Sequence, residues 1–241
     1  MRGEPPVSDP TAAAKQTLVT AGRILSAQGQ GEWTRGHLSV RCPDDPERFF
    51  IKPKDAGLEE ITPESIVTCD LDGNKVAGAG ALHGEVHIHS AVYRARPDLK
   101  AVIHAHPLHA VVFSALGRPL QAIGLPGAAF CDGLPVFAET NFLIRTPELG
   151  AAMARALGPH KALLLQNHGV VVAGESMEEA IYLAMALESA CQMQVMAEAA
   201  GGAKALGSRE DVEALRKHML RETMFRRTFA YLARKAGAGT A

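Results

Sequence analysis

The chain has 241 residues, 47% hydrophobic and 21% charged, with 25 Lys and Arg against 26 Asp and Glu and a formal net charge of -1. This excludes a disordered or fibrous chain and fits one large domain or two small ones; the even charge leaves no overall field for nucleic acid or an anionic membrane. Four scattered cysteines form no C-x-x-C pair, and no stretch approaches about eighteen uninterrupted apolar residues, so a cytoplasmic protein with reduced thiols and no membrane partner is expected.

Met1 to Pro10 and Ala236 to Ala241 read as loose termini around a single domain spanning 11–235. Thr11 to Gln28 carries an apolar stripe of Leu18, Ala21 and Leu25 and stops at Gly29, which predicts an amphipathic helix. His37–Arg41, Arg48–Lys52 and Ser65–Asp70 are three short strands split by Pro, Gly and Asp. Glu85 to Arg96 predicts a helix ended by Pro97, Lys100 to His106 a strand, and Leu108 to Leu116 another helix. Pro135–Ala138 is a short strand, Pro147–Leu157 a helix closed by Gly158, and Lys161–Gln166 a buried strand that Val170–Val172 extends beyond Gly169. Ser176 caps a long helix to Ala200, with Glu178 and Glu179 in its first turn, and Arg209 to Lys235 reads as one more helix. Together these elements predict one α/β domain, helices covering a sheet of mixed strand direction.

Of ten histidines, six (His83, His87, His89, His104, His106 and His109) crowd into residues 83–109. Residues i and i+2 of a strand share a face, so His104 and His106 present two imidazoles side by side, roughly 7 Å apart along the backbone. His168, at the end of an apolar strand and before Gly169, is placed to be a third ligand. Three imidazoles with an open position is the pattern of a catalytic metal centre. Glu85 opens the preceding helix, where a carboxylate suits the helix dipole and can act as acid or base. His89 lies one turn further on the same face and reads as a buried, hydrogen-bonded histidine.

Four ordered patches carry a resemblance: Glu85-Val86-His87-Ile88-His89, Tyr93-Arg94-Ala95-Arg96-Pro97-Asp98, Ala101-Val102-Ile103-His104-Ala105-His106-Pro107 and Gln166-Asn167-His168-Gly169-Val170. With Glu179-Ala180 and Leu187-Glu188 after them, the chain resembles the class II aldolase/adducin superfamily from about Thr11 to about Lys235. The resemblance implies a three-layer α/β/α sandwich, His104, His106 and His168 as metal ligands, Glu85 as the acid/base carboxylate, and a homotetramer with active sites near subunit interfaces. Zinc is the usual metal of such a site; manganese, cobalt or iron fit the same ligands.

The sugar-phosphate aldolases of that superfamily hold phosphate with small hydroxyl-bearing loops. Here the matching positions read Thr34-Arg35-Gly36-His37-Leu38-Ser39, Ile51-Lys52-Pro53-Lys54 and His83-Gly84-Glu85. Cationic and imidazole groups replace hydroxyls, which suits a carboxylate held by Arg35, His37, Lys52 or Lys54. The G-H-x-S and x-K-P patterns resemble the branch that decarboxylates hydroxylated aromatic or ring-cleavage oxo-dienoic acids, and no tyrosine between Leu120 and Phe130 matches the aldolase proton donor. A divalent-metal-dependent decarboxylase of a small carboxylic acid is therefore expected. The alternatives are a sugar-phosphate aldolase or epimerase, an iron-dependent oxygenase, and a non-catalytic adducin-like scaffold.

Overall fold

A computed structural model describes residues 9–140 and 142–237, so the expected loose termini fall largely outside the described residues. Among the described residues, eight strands form one sheet: β1 (His37–Arg41), β2 (Arg48–Ile51), β3 (Val67–Asp70), β4 (Lys75–Ala77), β5 (Ala101–Ala105), β6 (Val136–Phe137), β7 (Ala162–Leu165) and β8 (Gly169–Gly174). Their spatial order is β4-β3-β2-β1-β5-β8-β7-β6, antiparallel throughout except for the parallel pair β6 and β7.

The helices are α1 (Pro10–Ala27), α2 (Val86–Ala95), α3 (Leu108–Ser114), α4 (Leu125–Ala128), α5 (Pro147–Leu157), α6 (Met177–Ala199), α7 (Arg209–Met219) and α8 (Glu222–Lys235). Alternation along the strands divides the core in two. On β5 and β8, Ile103, Ala105, Val170 and Val172 pack towards α1, α3, α6 and α8. Val102, Val171 and Ala173 face the other way, against Val92 and Tyr93 of α2 and Met153 and Leu157 of α5. The result is the α/β/α sandwich expected from the resemblance.

Local chemistry explains most element ends. The Asp9 carboxylate accepts from Thr11 N to open α1; Ser176 Oγ accepts from Glu179 N to open α6, the one cap of the two that the sequence predicts. Buried Arg41 donates to the carbonyls of Tyr93 and Leu99, tying β1 to the end of α2. The single helix expected over Arg209–Lys235 is two, broken at Leu220 and Arg221, where the backbone turns extended. Without Gly or Pro the break has no local signal; it lets α7 pack on α4 while α8 lies across α6 and α1. The short β4 and α4 were not expected either, β4 being an exposed edge strand and α4 a single turn.

The mid-helix carboxylate of Glu188 is spent on α3: its oxygens accept from His109 N at 3.0 Å, Ala110 N at 2.9 Å and His109 Nδ1 at 2.7 Å. A seven-residue helix cannot stabilise itself, so this contact substitutes for a capping side chain. Glu188→Ala should lower unfolding stability by about 1–3 kcal/mol, read from the urea midpoint at unchanged slope.

Candidate metal centre

Strand register assembles the centre. β5 is flanked by β1 and β8, with His37 opposite His104 on one side and Val171 opposite His104 on the other. β7 and β8 form a hairpin whose Leu165–Gly169 pair leaves Gln166, Asn167 and His168 as the connecting residues. Asn167 takes the left-handed conformation at φ 57°, so it, rather than Gly169, makes the turn. Gly169 has a different role: a Cβ there would lie 2.5 Å from the Ala105 carbonyl oxygen and 2.7 Å from His106 Cδ2. Only glycine lets the hairpin approach β5 closely enough for His168 to join the other two imidazoles.

His104, His106 and His168 each offer a ring nitrogen, all within 4.8 Å of one another. The hydrogen bonds fix what two of those nitrogens carry. His104 Nδ1 lies 2.9 Å from the Val170 carbonyl and His106 Nδ1 3.0 Å from Glu32 Oε2, so both Nδ1 atoms are the donors. Their Nε2 atoms, 3.0 Å apart, then face each other as bare lone pairs. His168 Nε2 is buried with no hydrogen-bond partner. Burial, first of all, holds all three pKa values below the usual 6.5, with His168 at about 4, so the rings are neutral acceptors near pH 7. Mutually repelling lone pairs and an orphaned buried nitrogen are what a bound divalent cation would satisfy, and the donor set fits one.

Glu85 is the N-cap residue just before α2, but its side chain makes no capping hydrogen bond; the carboxylate turns towards the imidazoles instead. Its oxygens lie 3.8 Å from His104 Nε2 and 3.8 Å from His168 Nε2, and Oε1 accepts from Ile144 N at 2.8 Å. Desolvation raises its pKa above the usual carboxylate value, against the opposing pull of that hydrogen bond and of Arg145. A carboxyl poised in this way can hold or release a proton beside the ligands.

The centre opens into a cavity of about 850 Å³. Arg35 and Lys54, both expected to bind substrate, line it, together with Glu85, His106 and His168. Two other expected residues do not line it. Lys52 is fully buried and its ammonium donates to the carbonyls of Thr34 and Pro53, at 2.9 and 3.0 Å; burial pulls its pKa down to about 8. It braces the Thr34–Arg35 loop from beneath. His37 is also fully buried, under His83 with ring centroids 3.9 Å apart, and begins a polar chain through His89, Ser39 and Tyr93. Both residues lie in the protein interior because they occupy or adjoin strands that are covered on both faces.

Among the polar cavity residues that sequence reasoning did not assign to the site are Glu32, His83, Arg145 and Asn167. Glu32 and Arg145 lie on irregular segments where no periodicity marks an inward face. Arg145 passes beside Gly84, where a Cβ would meet its Nε at 3.4 Å, an ordinary contact. Asn167 was visible as a motif residue, but its turn conformation was not.

The profile of the class II aldolase and adducin N-terminal domain matches residues 16–195. The chain belongs to that family. It is 30% identical over 207 residues to the meiotically up-regulated gene 14 protein of Schizosaccharomyces pombe, covering 85% of this chain and 79% of that one. It is 32% identical over 204 residues to the 3,4-dihydroxyphthalate decarboxylase of Arthrobacter keyseri, covering 80% and 82%. Among solved structures, the L-fuculose 1-phosphate aldolase from Glaciozyma antarctica PI12 superposes with a TM-score of 0.84 at 26% identity, over 97% of this chain and 93% of the other.

The buried imidazoles make metal-free stability depend on pH. His89 titrates at about 3 and His83 at about 4 in the folded state, mainly through desolvation, whereas the unfolded chain takes up these protons near the usual 6.5. Unfolding therefore gains protons below about pH 6.5, and metal-free protein should lose stability steadily as pH falls from 6.5 towards 4, measured as a falling urea midpoint. Gly169→Ala should separate the hairpin from β5 and weaken zinc binding by about tenfold or more in a chelator-competition titration.

Proposed function

We propose that the protein is a divalent-metal-dependent carbon–carbon lyase, and specifically a decarboxylase of a hydroxylated aromatic or ring-cleavage oxo-dienoic carboxylic acid. The observation that carries this reading is the convergence of three neutral imidazoles and the desolvated Glu85 at a cavity that also presents Arg35, Lys54 and Arg145. His104, His106 and His168 would hold the ion, zinc by ligand type, with manganese, cobalt or iron compatible. When bound, the metal supplies Lewis-acid stabilisation of the electron pair left as the carboxylate departs. Arg35, Lys54 and Arg145 orient the anionic substrate, the guanidinium groups offering paired donors that match a carboxylate. Glu85 delivers a proton to the carbon that loses carbon dioxide, its raised pKa keeping that proton available nearer neutrality. Lys52 and His37 act from below, the first by bracing the loop that carries Arg35.

The similarity to a decarboxylase supports this choice over cleavage to an aldehyde. The likeness to a fuculose-phosphate aldolase favours the second reading, a sugar-phosphate aldolase, which would use the same metal ligands and Glu85. The proposal includes a cytoplasmic homotetramer: exposed Trp33, Leu108 and Phe142 lie on or beside segments that line the cavity and suit a subunit contact. Among the described residues no helix is long and apolar enough to cross a membrane.

Metal-loaded protein should release carbon dioxide from members of a panel of hydroxybenzoic, dihydroxyphthalic and oxo-dienoic acids, without consuming oxygen, and stop when chelated. Glu85→Gln should lower kcat about 10²- to 10⁴-fold while leaving bound metal in place. Faster turnover of a ketose phosphate with release of an aldehyde would replace the decarboxylase reading by the aldolase one.

A further inference from the structure

We infer that Glu32 is a positioning residue that couples the metal-ligand histidine His106 to the substrate-facing Arg35; this rests on the metal-site reading above. Its carboxylate is divided between the two. Oε2 accepts from His106 Nδ1 at 3.0 Å, and Oε1 accepts from Arg35 Nη1 at 3.1 Å. The other strand-borne imidazole is held differently: His104 Nδ1 donates to a backbone carbonyl of β8, a neutral acceptor fixed by the sheet. A carboxylate partner makes the opposite ring nitrogen a stronger donor to a cation than a carbonyl does, and its strength varies with whatever else shares its charge.

Arg35 is such a competitor. Its guanidinium lines the cavity and also lies 4.6 Å from the Trp33 ring, on a loop whose Trp33 takes a left-handed φ of 50°. Lys52 pins that loop through the Thr34 carbonyl, so Glu32 and Arg35 stay within reach of each other while their side chains remain partly exposed. When Arg35 turns to a substrate carboxylate, Glu32 is left to His106 alone, and the imidazole becomes the better ligand. Anion binding and metal binding are thereby linked with positive sign, and by reciprocity each strengthens the other.

The test measures zinc affinity by chelator competition in wild type, Glu32→Gln, Arg35→Gln and the double variant. Circular dichroism and melting check the fold, and cobalt(II) absorption spectra report ligand geometry. Glu32→Gln should weaken zinc about 10- to 100-fold and shift the cobalt bands. Arg35→Gln should tighten zinc in the wild-type background and change nothing in the Glu32→Gln background. Additive effects of the two substitutions would mean that both charges act on the metal through space, and would overturn the coupling, as would an unchanged affinity in Glu32→Gln. If Glu32→Gln does not fold, Glu32→Ala takes its place in the same cycle, where non-additivity with Arg35→Gln supports the coupling and additivity overturns it. Wild-type protein that takes up no zinc, cobalt, manganese or iron would instead refute the metal-site reading itself, and this inference with it.

Discussion

The β5 strand has antiparallel neighbours on both sides, and that double register fixes where every imidazole of the centre lies. His104 and His106 leave the end of β5, His37 enters at the start of β1, and the β7–β8 hairpin returns His168 to the same edge of the sheet. A slip of one residue against either neighbour would send the imidazoles to opposite faces. The glycine at 169 makes the close approach possible, so the centre depends on a missing side chain as much as on those present.

Burial then sets the chemistry. Desolvation lowers the pKa of each imidazole and raises that of Glu85, so the site gathers neutral bases around one carboxyl that resists ionisation. Gathering bare lone pairs without a cation costs folding energy, which the two cores on either side of the sheet must offset. Tyr93, Ser39, His89 and His37 extend the polar interior away from the centre as a hydrogen-bonded chain between β1 and α2.

The elements that carry the three imidazoles were legible because their signals are local. Period-2 alternation put His104 beside His106, an apolar strand shortly before His168 marked the third imidazole, and Ser176 announced its helix. The expectation for His89 as a buried, hydrogen-bonded residue agrees with its partners. Lys52 and His37 show the limit: a cation or imidazole near a site motif says nothing about which face its strand turns inward. Glu32 and Arg145 belong to loops, whose course is decided by distant contacts such as Lys52 with Thr34 and Ile144 with Glu85. The break between α7 and α8 was hidden for the same reason, since packing on two different neighbours, not a breaker residue, causes it.

The clustered imidazoles and the charges that line the cavity sit on different kinds of scaffold. The imidazoles issue from strand ends and a three-residue hairpin connection, whereas Arg35, Lys54 and Arg145 ride on irregular segments outside any helix or strand. Loops accept insertion and replacement far more readily than a buried central strand. Natural variation or directed evolution can therefore exchange the charges that line the cavity by rewriting three surface segments, while the imidazole cluster is inherited intact.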